Sequence, residues 1–158
     1  MEGKILKFGE KEEYIKKIED ELEKLRRNIY NLKSWKIEKE VLEEKLSAYG
    51  YTSYVGGGSS KTFTLDDIVD KDITRLNVLE SNIDYTEYKL KKYEVYLNIL
   101  DDLEEKIIKE RYLKPNKKAI SYDILGKKLK CSHTTAKRWH DSAIEKIVNY
   151  KYQSIGIT

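Results

Sequence analysis

The chain of 158 residues contains one cysteine, one proline and two histidines. A single cysteine, Cys131, rules out an internal disulfide and any zinc site built from several thiolates. Adding His133 and His140 still leaves too few ligands, so no metal and no cofactor is expected. No apolar run approaches the roughly 20 residues that a membrane span requires. The opening stretch, MEGKILKFGEKEE, lacks the apolar core of a signal peptide. A cytoplasmic protein without membrane contact is therefore expected. The acidic residues are spread along helical faces among lysines, and no nucleophile–base pair or metal-ligand spacing stands out. An enzyme is not expected.

Charge is abundant, at 37% of residues, and its distribution is more telling than the net value of +3. Residues 98–158 carry 13 Lys and Arg against 8 Asp and Glu, whereas residues 1–52 carry 12 of each. Between positions 114 and 140 eight basic residues face one acid, Asp123. A lysine-rich solvated surface is the plain reading. A footprint for a polyanion is the sharper one, and confinement of the excess to one segment favours it.

From 10 to 48 the chain has neither glycine nor proline. Ile15, Ile18, Leu22, Leu25, Ile29 and Leu32 recur in steps of three and four, the seam of a coiled coil. After Leu32 the register slips through Trp35, Val41, Leu42 and Leu46, which predicts a kink or a change of packing partner. Residues 49–63 form the one clear loop, with glycines at 56–58. Its GGGSSKT resembles the end of a phosphate-binding loop, but Ser60 and Val55 stand where that motif needs glycine, and no strand precedes it. Thr64, followed by Asp67, is the expected cap of a second long helix, 64–98. Its register runs through Leu76, Leu79, Ile83, Leu90, Tyr93, Leu97 and Leu100, with Thr86 as a polar interruption. A third helix follows, with Leu100, Leu103, Ile107, Ile108 and Tyr112 inward and its break from the second most favoured at Asp101-Asp102. Pro115 and Asn116 end it. The expected fold is all-α: an antiparallel helical hairpin over 1–98, a helix-turn-helix domain over 99–152 and a tail, 153–158. The hairpin's seams suit self-pairing or a second chain, so a homodimer is expected.

The stretch KAISYDILGKKLKCSHTTAKRWHDSAIEKIVNY, 118–150, reads as two short helices around a tight turn. The first, 121–130, opens at Ser121 as cap and places Ile124, Leu125 and Leu129 on one face. The second opens at Ser132 and repeats Ala136, Trp139, Ala143, Ile144 and Ile147. Its other face carries His133, Thr134, Lys137 and Arg138 in the first two turns, where a helix entering the major groove needs hydrogen-bonding side chains. These four are the candidates for base edges. Lys117, Lys118, Ser121, Lys130, Ser132 and Thr135 are the candidates for phosphate contacts. Trp139 belongs to the core by its position, Cys131 is a small buried residue of the turn, and His140 is a partly buried histidine with its hydrogen bond satisfied.

Leu103-Glu104, Arg111-Tyr112, Ser121-Tyr122, Leu125, Leu129, Ser132, Thr135 and Ala143-Ile144-Glu145-Lys146-Ile147 together resemble the C-terminal helix-turn-helix of sigma factors, the region that reads the −35 element. Two positions depart: Lys130 replaces the turn glycine, and His140 replaces an apolar residue of the recognition helix. The Gly/Ser/Lys/Thr loop followed by a helix and this C-terminal unit resembles phage late-transcription regulators of the RinA and ArpU type. That resemblance implies a promoter-DNA-binding activator of late genes that contacts host RNA polymerase. Two rivals stay open: a small terminase subunit that marks DNA for packaging, and an adaptor or inhibitor acting through the hairpin.

Overall fold

The computed structural model describes residues 8–50 and 63–153. Five α-helices account for nearly all of them: α1 (Phe8–Ala48), α2 (Phe63–Leu97), α3 (Asp102–Tyr112), α4 (Tyr122–Leu129) and α5 (His133–Val148), followed by a π-helical turn, Asn149–Gln153. No strand occurs among the described residues, and the fold is all-α as expected. None of the helices is long and apolar enough to cross a membrane. The Gly/Ser loop lies almost wholly outside the described residues, and the tail does so beyond Gln153.

The described chain divides into two compact units, Met1–Tyr30 with Tyr88–Thr158, and Asn31–Glu87. The division falls within the two long helices and not at 98/99, where the sequence had placed a domain boundary. It coincides in α1 with the slip of register near Leu32. A continuous helix can change its packing partner wherever its apolar stripe changes phase.

In the first unit, α1 contributes Ile18, Leu22, Leu25 and Ile29, and α2 contributes Tyr93, Tyr96 and Leu97, to a core completed by Ile108 and Tyr112 of α3 and Ile144, Ile147 and Val148 of α5. Ile18, Leu22, Leu25 and Ile29 of α1 and Tyr93 and Leu97 of α2 are heptad positions read from the sequence, whereas Tyr96 and Val148 were not among the residues it placed inward. Glu21 of α1 receives Lys89 at 2.9 Å and Lys151 at 3.4 Å, and Tyr14 stacks on Tyr152 with ring centroids 4.0 Å apart. Lys11 pairs with Glu145 of α5 at 2.5 Å. Arg26 is buried, with its guanidinium paired to Glu23 and donating to the Asn116 carbonyl at 2.6 Å. A buried cation is tolerable when its donors find such acceptors, and this one ties α1 to the segment after Pro115.

In the second unit, α1 and α2 run antiparallel. Lys36 pairs with Glu87, Lys39 with Glu80 and Lys45 with Asp72, so partners on α2 fall in number as those on α1 rise. Leu46, Val69 and Leu76 form a small buried cluster with Leu42, Tyr49 and Ile73 against it. At the end of α1, Gly50 adopts φ +83° and its N–H donates to the Ser47 carbonyl at 2.9 Å. The sequence placed the start of α2 one residue late: Thr64 lies inside the helix and does not precede it as a cap.

Candidate nucleic-acid interface

The helix-turn-helix is built from α3, α4 and α5, all within the first unit. Asp101 takes the N-cap position of α3, and its N–H donates to the Glu104 carboxylate at 2.9 Å. The break between α2 and α3 therefore spans residues 98–101 and ends at Asp101, so of the Asp101-Asp102 pair the first caps α3 and the second opens it. Glu104 is itself buried and also accepts from Ser142 Oγ at 2.5 Å and Lys146 Nζ at 2.7 Å on α5. Burial pushes its pKa upward, but these three donors outweigh that and hold it below the usual carboxylate range.

Ser121 and Ser132 cap α4 and α5 as the sequence indicated. Ser121 Oγ accepts from the Ile124 N–H at 3.3 Å, and Ser132 Oγ accepts from the Thr135 N–H at 3.1 Å. Both serines hold extended backbone, the geometry that lets a hydroxyl turn back onto a free N–H. Between the helices Lys130 adopts φ +59° and ψ +46°, the left-handed conformation usually left to glycine. The position that departs from the turn glycine thus does hold the backbone that favours glycine. The glycine that the turn does require lies earlier. A Cβ on Gly126 would stand 2.6 Å from the Cys131 carbonyl oxygen, so α4 and the start of α5 touch there backbone to backbone. The sequence had assigned Gly126 no role.

Ile107, Leu125 and Ala136 form the buried centre where the three helices meet, with Leu129, Cys131 and Trp139 partly buried against it. Two apolar assignments need correction. Ile124 is 47% exposed and Leu103 is 40% exposed. A helix of eight residues can turn only one narrow stripe inward, and Leu125 and Leu129 fill that of α4. In α5 the inward position is taken by His140, whose side chain is 1% exposed, with Trp139 at the margin.

His140 joins all three helices. Its Nε2 lies 2.7 Å from Tyr112 Oη of α3, and its Nδ1 lies 3.1 Å from Tyr122 Oη of α4 and 2.9 Å from Asp141 Oδ1. Burial holds its pKa below the ordinary histidine value, although Asp141 pulls the other way. Arg111, matched in the sequence only as part of a pattern, lies with its guanidinium 4.4 Å from the Tyr122 ring centre and donates to the Ile120 carbonyl. It fixes the path of the chain from α3 into α4.

Around this frame α5 turns its polar face outward. His133, Thr134, Lys137 and Arg138 are all exposed. Thr134, Lys137 and Arg138 line one open groove together with Asp141, Ser142 and Glu145. His133 stands one residue before this groove, with Nε2 3.4 Å from Thr134 Oγ1. Lys117, Lys118, Ser121, Lys130 and Ser132 are exposed, and Thr135 is half-buried with its Oγ1 accepting from Ser132 Oγ at 2.9 Å. The hydroxyls of Ser121, Ser132 and Thr135 are thus engaged in capping, while the three lysines present their charge to solvent. Asp141, not among the residues singled out from the sequence, is one of two acids that α5 adds to the groove, with Glu145. Among the described residues no cluster of side chains suited to a metal ion occurs. No protein-family model matches this chain, and no curated protein or solved structure does so either.

Proposed function

We propose that this chain is a sequence-specific, double-stranded DNA-binding transcription regulator that inserts α5 into the major groove. The observation carrying this reading is the outward face of α5, where Thr134, Lys137 and Arg138 share a groove at the leading half of a helix buried on its other side. Donors and acceptors on a rigidly seated helix are what base edges require. Lys117, Lys118 and Lys130 are exposed and supply charge for the phosphate backbone, fixing orientation without reading sequence. His133 is the fourth candidate for a base edge, and Ser121, Ser132 and Thr135 contact phosphate only through capacity left over from capping. Activation of phage late genes through host RNA polymerase rests on the resemblance to the RinA and ArpU regulators. A homodimer reading paired half-sites is part of the same proposal, since α1 and α2 bury their seams within the chain yet leave Ile37, Val41, Val78 and Tyr85 exposed.

Selection from a pool of randomised duplexes tests the reading, followed by titration of the selected site against a scrambled duplex across a salt series. The expected result is a preference of about 10³-fold or more for the selected site. Lys137→Ala with Arg138→Ala abolishes it, whereas Lys118→Ala weakens binding to both duplexes alike and lowers the salt slope by about one. Equal binding to both duplexes refutes sequence reading. Light scattering on the same samples distinguishes a dimer from the ring-sized assembly of a terminase subunit.

A further inference from the structure

The buried histidine of α5 is wired to the exposed groove. Lys137 Nζ stands 3.3 Å from Asp141 Oδ2, while Asp141 Oδ1 lies 2.9 Å from His140 Nδ1. A carboxylate can only accept, so Nδ1 carries the proton and Nε2 is left to accept from the Tyr112 hydroxyl at 2.7 Å. That hydroxyl in turn receives Arg111 Nε at 3.2 Å. Every bond in the series Arg111, Tyr112, His140, Asp141 therefore points in one direction, and it ends on a groove-lining carboxylate. Asp141 is 56% exposed, whereas His140 is almost wholly enclosed, so a fixed core group aims a surface acid.

An acid on a surface that must approach phosphates weakens binding unless it meets a donor. Glu145, the groove's other acid, is paired with Lys11. Asp141 has Lys137 beside it, which offsets its charge, and an ionised carboxylate has lone pairs to spare after two hydrogen bonds. In the major groove the partner suited to a lone carboxylate is the 4-amino group of cytosine. Resting on the DNA-binding reading above, we propose that Asp141 is a specificity residue that selects cytosine at one position of the site, and that His140 is its positioning residue.

The test is selection from randomised duplexes with the full chain and four variants: Asp141→Asn, Asp141→Ala, His140→Asn and His140→Gln. An asparagine side chain prefers adenine. Asp141→Asn therefore converts one cytosine of the selected site to adenine, leaving the other positions unchanged. Asp141→Ala loses the preference there by about tenfold to a hundredfold. His140→Asn retains a donor in place of Nδ1 and keeps the cytosine. His140→Gln, checked for folding by circular dichroism, carries its amide one methylene further out, in the place of Nε2 and not of Nδ1, and relaxes the same position alone. Uniformly tighter binding to all duplexes by both Asp141 variants would overturn the proposal, because the acid would then act only by repulsion. A selection in which the unaltered chain enriches no common sequence would instead bring down the DNA-binding reading itself, and this proposal with it.

Discussion

In the turn of the helix-turn-helix, glycine and lysine have exchanged the places that convention gives them. Lys130 takes the left-handed conformation, and Gly126 sits where two backbones touch. Replacing Lys130 with glycine removes a backbone penalty of about 1–2 kcal/mol, part of which returns as entropy in the unfolded chain. Lys130→Gly is expected to raise stability by about 0.5–1 kcal/mol in denaturant titrations. Gly126→Ala must push α4 away from Cys131 and is expected to cost about 1–3 kcal/mol. His140 gives a pH dependence of definite sign. Its pKa in the folded chain is depressed, so the unfolded chain takes up a proton first as pH falls. Its contribution is complete above about pH 6.5 and is lost progressively below that. Thermal unfolding at pH 7.5 and 5.5 should show this loss, and His140→Gln should remove most of the difference between the two.

At the scale of helices, α3 and α5 are held together by one buried carboxylate as well as by apolar packing. Glu104 accepts from the Asp101 N–H, Ser142 and Lys146 at once. Hydrogen bonds to a charged group contribute about 1.5–3 kcal/mol each when made. Truncation leaves Lys146 free to hydrate, but strands the start of α3 and Ser142 of α5. Glu104→Ala is expected to cost about 2–3 kcal/mol by chemical denaturation, while Glu105→Ala, a neighbour with one i,i+4 ion pair, should cost under about 0.5 kcal/mol. The helices themselves were legible in the sequence. Capping serines announced α4 and α5, and apolar steps of three and four announced the faces of α1 and α2. The partners of His140 were not, because Tyr112 and Tyr122 lie 28 and 18 residues before it on other helices. Close approach at Gly126 was equally hidden, since nothing local distinguishes it from any glycine in a helix. Ile124 differs for the opposite reason: it is apolar and next to Leu125, but the inward stripe of α4 is filled by Leu125 and Leu129 and leaves nearly half of it exposed. Asp141 escaped notice because a lone acid among lysines looks like a solvated surface residue until its contact with His140 is seen.

Across the whole chain, two units have separate cores of very different size. The first combines aromatic and aliphatic residues from α1, α2, α3 and α5, whereas the buried cluster of the second rests on Leu46, Val69 and Leu76. The ion pairs of the second unit, such as Lys36 with Glu87 and Arg75 with Glu38, have partners about half exposed. Exposed pairs contribute about 0–1 kcal/mol and are screened by salt, so they do little to make up for the smaller core. Regions with few buried apolar contacts open at lower free energy than the molecule as a whole. Amides of residues 39–48 and 67–79 are therefore expected to exchange with deuterium faster than those of α5 at neutral pH. Leu46→Ala, which removes a 2% exposed side chain from the small cluster, should cost about 2–5 kcal/mol locally. Hydrogen exchange should then show protection falling in residues 39–48 and 67–79 while α5 keeps its own. A fall of equal size in both units would mean that they unfold as one, and that the apolar cluster around Leu46 supports α5 as well.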